Sequence, residues 1–272
     1  MNIKKTLLWR PIHFINYKRL YCIERIKRKK YINTGYYDKM QKTKDTVRGK
    51  CFIIGNGPSL TVKDLNKLFE YDIPCLASNR IYNLYDKTQW RPKYFFCQDD
   101  RVMKQIYNDL PYVVENSEVS FISINNYKHS GNLLDNKKVI PFFIITRPLL
   151  ENTYPFAFDA ASGVFEGMSV TYSMIQIAVY LGFTEIYLLG VDHTYSALNT
   201  VSGDKMSHFE GMKQIDSSNF YPANYVAMNK AFMTAKEYAD NHGIKIYNAT
   251  RGGMLEIFPR ADFNTLINKW SK

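Results

Sequence analysis

Phe52-Ile53-Ile54-Gly55-Asn56-Gly57-Pro58-Ser59 is a short apolar run that ends in a glycine-rich turn carrying an asparagine. A strand covered on both faces of a parallel sheet reads as a continuous apolar run, and the carboxyl ends of such strands meet the ligand. Gly55 and Gly57 permit positive φ and close backbone approach, while Asn56 offers an amide to a polar ligand group. Pro58 sets the exit, and Ser59 is placed to cap a helix beginning near residue 61. The turn lacks the third glycine of the dinucleotide fingerprint and the Gly-Lys-Ser/Thr of a phosphate loop. It predicts a strand, a turn and a helix around a polar ligand without naming that ligand.

Similar apolar runs, rich in β-branched and aromatic residues, recur at 51–55, 74–78, 93–97, 119–124, 139–145, 185–191 and 244–247. Helical patterns fall between them at roughly 61–70, 100–109, 163–182 and 223–242. The alternation predicts an α/β fold: a mostly parallel, Rossmann-like sheet with helices on both faces. In the clearest unit a helix carrying Val170, Met174, Ile177, Ala178 and Leu181 stops at Gly182, and a strand from Glu185 to Val191 follows. Beyond it lies a long polar stretch. A connection of that length reads as a lid near 193–222.

The charge is placed unevenly. Of the 36 basic and 25 acidic residues, 15 and 3 fall within residues 1–50, leaving 21 and 22 for the remainder. Residues 1–50 read as a basic amphipathic segment, and 51–272 as a single catalytic domain. The segment mixes its lysines and arginines with Leu7, Leu8, Trp9, Ile12, Phe14, Ile15, Leu20, Ile23 and Ile26, too often interrupted to span a bilayer. It suits an anionic membrane surface; the alternative is a helix packed on the body with solvated lysines. No nucleic-acid-binding module is present. The start has no long apolar stretch before a small-residue cleavage site, as a signal peptide would. Cys22, Cys51, Cys75 and Cys97 lack paired spacing and predict neither zinc nor a disulfide framework, in keeping with a reducing cytoplasm.

The strand ends form a consistent set. They are Gly55-Asn56-Gly57, then Ser78-Asn79-Arg80, Gln98-Asp99-Asp100, Asp192-His193 and Asn248-Ala249-Thr250-Arg251. Amides, carboxylates and arginines would converge on one edge, suited to sugar hydroxyls and phosphate.

Gly55-Asn56-Gly57-Pro58-Ser59-Leu60, the Ser78-Asn79 pair, Ser162-Gly163-Val164 and Gly190-Val191-Asp192 together resemble the bacterial sialyltransferases of glycosyltransferase family 42. Ser207-His208-Phe209-Glu210-Gly211 is similar to the S-H-Y-x-G stretch that carries those enzymes' catalytic histidine. The later half resembles a broader group, domain of unknown function 115. Its G-V-D-H, its H-F and its N-A-T-x-G-G-x-L-E-x-F-P-R run match Gly190–His193, His208-Phe209 and Asn248–Arg260. Some members of that group are described as hydroxymethylpterin-pyrophosphokinase-like, others as polysaccharide-assembly proteins. The resemblance covers about residues 50–268. It implies that Asn56 and Asn79 hold a cytidine monophosphate (CMP) donor, with Ser162 and Gly163 nearby, and that His208 is the general base. Where the sialyltransferases use two tyrosine hydroxyls on the leaving phosphate, Thr194 stands at one position and Tyr195 is displaced by one. An insertion follows Gly211.

Inverting glycosyl transfer needs a base for the acceptor hydroxyl, support for the departing phosphate, and exclusion of water. Histidine suits the first, so His208 and His193 are the catalytic candidates. Gly55, Asn56, Gly57, Pro58, Ser59, Asn79, Arg80, Gln98, Asp99, Ser162, Gly163, Asp192, Thr194, Tyr195, Asn248 and Arg251 are the donor-binding candidates. No metal or cofactor is expected, the nucleotide sugar being a substrate. The expected partners are that donor, with CMP favoured, and a glycan or lipid-linked acceptor of the polysaccharide or lipopolysaccharide kind. Residues 1–50 would hold the protein on the inner face of the cell membrane, and homo-oligomer formation stays open. One alternative is a Mg²⁺-dependent pterin-type diphosphokinase in which Asp99 and Asp192 share the ion. Another is a non-catalytic nucleotide-binding protein of envelope assembly.

Overall fold

The computed structural model describes residues 3–126, 131–146, 152–194, 209 and 224–270. Helix α1 (Ile3–Ile32) and α2 (Gly35–Gln41) precede β1 (Lys50–Ile54). Then follow α3 (Val62–Glu70), β2 (Cys75–Ser78), β3 (Tyr94–Cys97), α4 (Asp100–Gln105), α5 (Leu110–Glu115), β4 (Val119–Ser123) and β5 (Val139–Phe142). The later elements are β6 (Ile144–Ile145), β7 (Val164–Phe165), α6 (Val170–Leu181), β8 (Glu185–Leu189), α7 (Tyr225–Asn241), β9 (Lys245–Asn248) and α8 (Phe263–Trp270).

Seven strands form one sheet in the order β5-β4-β3-β2-β1-β8-β9, and every adjacent pair is parallel. Both faces are covered, as continuous apolar strands require. Along β1 the side chains alternate. Cys51 and Ile53 join the core that holds Met174, Ile177 and Phe232 of α6 and α7. Phe52 and Ile54 join the core that holds Leu65 and Leu68 of α3 and Phe263 of α8. The strand order runs outward in both directions from β1 and β8. This pair is therefore the topological switch point, where parallel α/β sheets open a crevice.

Two expectations need correction. The helix predicted over 163–182 begins only at Val170, because Gly163, Gly167 and Met168 adopt φ of 138°, 57° and 60°. The run 139–145 breaks at Phe143, and β6 leaves the main sheet to pair with β7. Part of the basic N-terminal segment packs on the body. Tyr31 and Met40 are 1% and 0% exposed, and Tyr31 packs on Phe143 with ring centroids 5.8 Å apart. The chain enters the body near residue 31. No helix among the described residues is long and apolar enough to cross a membrane.

Candidate functional site

The switch point is built by two tight turns pressed together. Gly55 N donates to Leu189 O and Gly57 N to Gly190 O, each at 2.8 Å. Strand β1 thus continues its pairing with β8 beyond the regular sheet. A Cβ on Gly55 would lie 2.8 Å from the Gly190 carbonyl carbon, and one on Gly57 would overlap the Asp192 carboxylate. The glycines are needed for this close approach, and neither takes the positive φ that a glycine permits.

Asp192 locks the junction. Its Oδ2 accepts from Ser59 Oγ at 2.8 Å, and its carbonyl accepts from Met254 N at 2.7 Å. Burial raises the Asp192 carboxyl pKa, opposed by the Ser59 bonds. Ser59 therefore serves Asp192, and the α3 cap is Thr61 instead. Thr61 Oγ1 accepts from Asp64 N, while the Asp64 carboxylate accepts from Thr61 N at 3.0 Å.

A cavity of about 120 Å³ opens beside this junction. Gly55, Asn56, Gly57, Ser78, Asn79, Ser169, Thr171, Asp192, His193 and Thr194 line it, with Met228 and Phe232 of α7 as an apolar side. Asn56 Nδ2 donates to Ser78 O at 3.1 Å, which sets the amide's orientation. Asn79 turns out of β2 with φ 58°. The amide oxygens of Asn56 and Asn79 and the Ser78 hydroxyl are buried with no hydrogen-bond partner among the described residues. Buried polar atoms are nearly always paired. Three such atoms on two adjacent strand tips could take donors from a ligand, such as sugar hydroxyls or a base amine.

The N-terminus of α6 closes another side. Ser169 caps it, accepting from Thr171 N at 3.2 Å, and its first amides carry the partial positive charge of a helix start. The fourth side is His193, 3% exposed, with φ 55°. Its Nε2–H donates to Asn229 Oδ1 at 2.8 Å, and its ring stacks on Tyr225 at 4.4 Å. That bond selects the tautomer with a lone pair on Nδ1. Burial lowers the His193 pKa below the ordinary 6.5, and the bond to Asn229 acts against the shift.

The folded protein therefore takes this proton less readily than the unfolded chain does. Its contribution to stability is whole above pH 6.5 and is lost as pH falls below that value. Urea unfolding followed into mild acid should show a declining limb there, and His193→Gln should flatten it.

Several expected ligands sit elsewhere. Asp99 Oδ1 caps α4, accepting from Arg101 N at 2.8 Å and Val102 N at 3.1 Å. Arg80 reaches the Gln105 amide oxygen. Ser162 donates to Asp159 Oδ2 at 2.6 Å, and Gly163 packs on Ile145. Asn248 is fully buried; it donates to Leu255 O at 2.8 Å and accepts from Thr250 N at 3.0 Å, holding the C-terminal turn. Neither these residues nor Pro58, Ser59, Gln98 or Arg251 lines the cavity. Tyr195, His208 and most of the predicted lid lie outside the described residues. Phe209, next after His208, is 2% exposed and donates its N–H to Asn56 O at 3.0 Å.

Arg251 grips the buried Asp64 with both guanidinium ends, one at 2.9 Å. Arg251→Ala would leave that carboxylate with Thr61 alone. The expected cost is about 2 kcal/mol, read as a Tm about 6 °C lower. Nucleotide affinity should not change, whereas a donor ligand would lose it.

Sequence reading missed Ser169, Thr171 and Asn229; it weighed Tyr225 for stacking on a sugar or aromatic acceptor, whereas its ring stacks on His193. Ser169 before an apolar helical run is a legible cap signal, obscured by starting the helix too early. Asn229 carries no local signal, since only the docking of α7 brings it to His193.

The fold and this crevice define a class: parallel α/β proteins with a polar ligand site at the sheet's switch point. Residues 27–197 match the model of the MptE-like family, described as 6-hydroxymethylpterin diphosphokinase MptE-like, and the chain belongs to that family. A comparison with curated proteins found no match. Among solved structures, the MAf glycosyltransferase from Magnetospirillum magneticum AMB-1 is similar, at 15% identity and TM-score 0.50 over 84% of this chain. The chain spans 39% of the length of that protein. The sialyltransferase CstII from Campylobacter jejuni, solved in complex with a substrate analogue, CMP-3FNeuAc, is similar at 18% identity and TM-score 0.50. There the match covers 78% of this chain and 87% of the other. At these identities the likeness is one of fold.

Proposed function

We propose that this protein is an inverting, metal-independent glycosyltransferase that moves a sugar from a CMP donor to a cell-surface glycan precursor at the inner membrane face. The observation that carries the reading is the pair of amide oxygens of Asn56 and Asn79, without hydrogen-bond partners among the described residues, on neighbouring strand tips. They suit the hydroxyls and amine of a nucleoside. The start of α6 then faces the phosphate, where its amides stabilise the leaving charge.

In the step itself His208 takes the acceptor hydroxyl proton. The acceptor oxygen forms a bond to the anomeric carbon as that carbon's bond to phosphate oxygen breaks, and CMP departs with the electron pair. The anchoring of Phe209 on Asn56 supports a role for the segment at this turn. His193, held by Asn229, orients the donor from its own side of the cavity.

The family description favours a second reading, diphosphoryl transfer from ATP to a pterin alcohol, which needs Mg²⁺. The two carboxylates nominated for the ion have structural partners, Asp99 as a helix cap and Asp192 on Ser59. Among the described residues no three His, Cys, Asp or Glu side chains gather to hold a metal. An ion shared by Asp99 and Asp192 would compete with the cap of α4 and the bond to Ser59, which favours the first reading.

A thermal-shift panel of CMP, CDP, UDP, GDP and ATP, each with and without Mg²⁺, separates the two. CMP without metal should raise Tm by several degrees, with about 2.7 kcal/mol of stabilisation at a hundredfold excess over Kd. Stabilisation by ATP with Mg²⁺ alone would instead establish the diphosphokinase.

A further inference from the structure

Helix α1 lies antiparallel to β5 and β6, so from Tyr31 back toward its own start it follows their chain direction. Tyr31 Oη donates to Pro141 O at 3.4 Å, Arg28 Nε to Ser162 O at 2.6 Å, and Thr146 N to Glu24 Oε2 at 2.8 Å. Glu24 thus lies at the carboxyl end of β6. Its charge, after burial and Asp99, helps raise the pKa of Glu166. The helix therefore passes beside the carboxyl edge of the fold. Its first 21 residues, Ile3–Ile23, add about 30 Å of helix beyond that level.

The helix meets the body through Glu24, Arg28 and Tyr31. Leu20, Ile23 and Ile26 are 49%, 38% and 57% exposed. At about 100° per residue they share roughly one third of the circumference with Arg19, Lys27 and Lys30. That third makes none of these body contacts. Residues 18–30 hold seven bases and one acid, and the acid is the Glu24 bonded to Thr146.

We infer that this face of α1 is a docking surface for an anionic lipid bilayer, set so that the candidate site's edge faces the membrane. Two copies of the face would bring like charges together. An anionic bilayer accepts the cations at its headgroups and the branched apolar chains just beneath. Nucleic-acid phosphates would satisfy only the cations. The inference rests on the transferase reading in one respect, that the acceptor is membrane-borne. Its test needs no turnover, so the two fail separately.

The full chain should co-sediment with phosphatidylcholine vesicles containing phosphatidylglycerol and not with phosphatidylcholine alone, and added salt should release it. Arg19→Gln/Lys27→Gln/Lys30→Gln should lower the partition coefficient about 100-fold, at roughly fivefold per charge. Ile23→Ser/Ile26→Ser should also weaken it, with the Tm of both variants unchanged. Equal binding to neutral vesicles, no vesicle binding, or variants that partition like the parent would overturn the inference. So would self-association or RNA binding through this face in place of vesicle binding.

Discussion

Gly57→Ala is expected to remove nucleotide binding and to cost about 3 kcal/mol of stability, read as a Tm lower by about 6–12 °C. The added carbon would lie 2.7 Å from the Gly190 carbonyl oxygen and overlap the Asp192 carboxylate. Neither neighbour can give way cheaply. Gly190 O already accepts from Gly57 N, and Asp192 is held by Ser59 and Met254. Relief requires parting the β1 and β8 tips, which carries Asn56 away from Asn79. Gly35→Ala is the control, because a Cβ there meets nothing within 4 Å. Its Tm should hold or rise slightly, since alanine restricts the unfolded chain. Normal CMP binding by Gly57→Ala would mean that the junction does not shape the site.

His208→Ala is expected to lower kcat by about three orders of magnitude while CMP still raises Tm as in the parent. A general base acts on the acceptor proton and contributes little to holding the donor. His193→Ala should show the reverse balance. It leaves Asn229 without its donor inside a packed wall with Tyr225 and Phe232, so donor affinity and stability fall before kcat does. If His193→Ala alone abolished turnover, the base would be the imidazole beside Asn229. If neither variant changed activity in cells while Asn56→Ala did, the non-catalytic reading would stand.

Local spelling was informative wherever one element met water or a turn on its own. The β1 run, the Gly55-Asn56-Gly57 turn and the β8 run through Gly190 were legible because burial on both faces and tight turns dictate composition directly. The same logic failed over 163–169. Apolar spacing continued smoothly there, and only the backbone geometry at Gly163, Gly167 and Met168 sets the helix start at Val170. Strand-end polar residues show a different limit of sequence reading. Asp99, Arg80, Asn248 and Arg251 do stand at or just beyond strand ends, yet each is occupied by a cap, a side chain or a turn within hydrogen-bonding reach. Position along a strand does not tell which way a side chain is already held.

By itself the amino-acid order determined that this chain forms a parallel α/β sheet, that its basic charge gathers before residue 51, and that Asn56 stands on a turn at a strand tip. These follow from periodicity, charge and turn chemistry, which act over a few residues. Only the tertiary structure decided that β1 and β8 are neighbours, that Asn56 and Asn79 share one cavity with the start of α6, and that Asn229 holds His193. Those pairings join segments separated by up to about 135 positions, and side-chain packing across the sheet, not local preference, selects them.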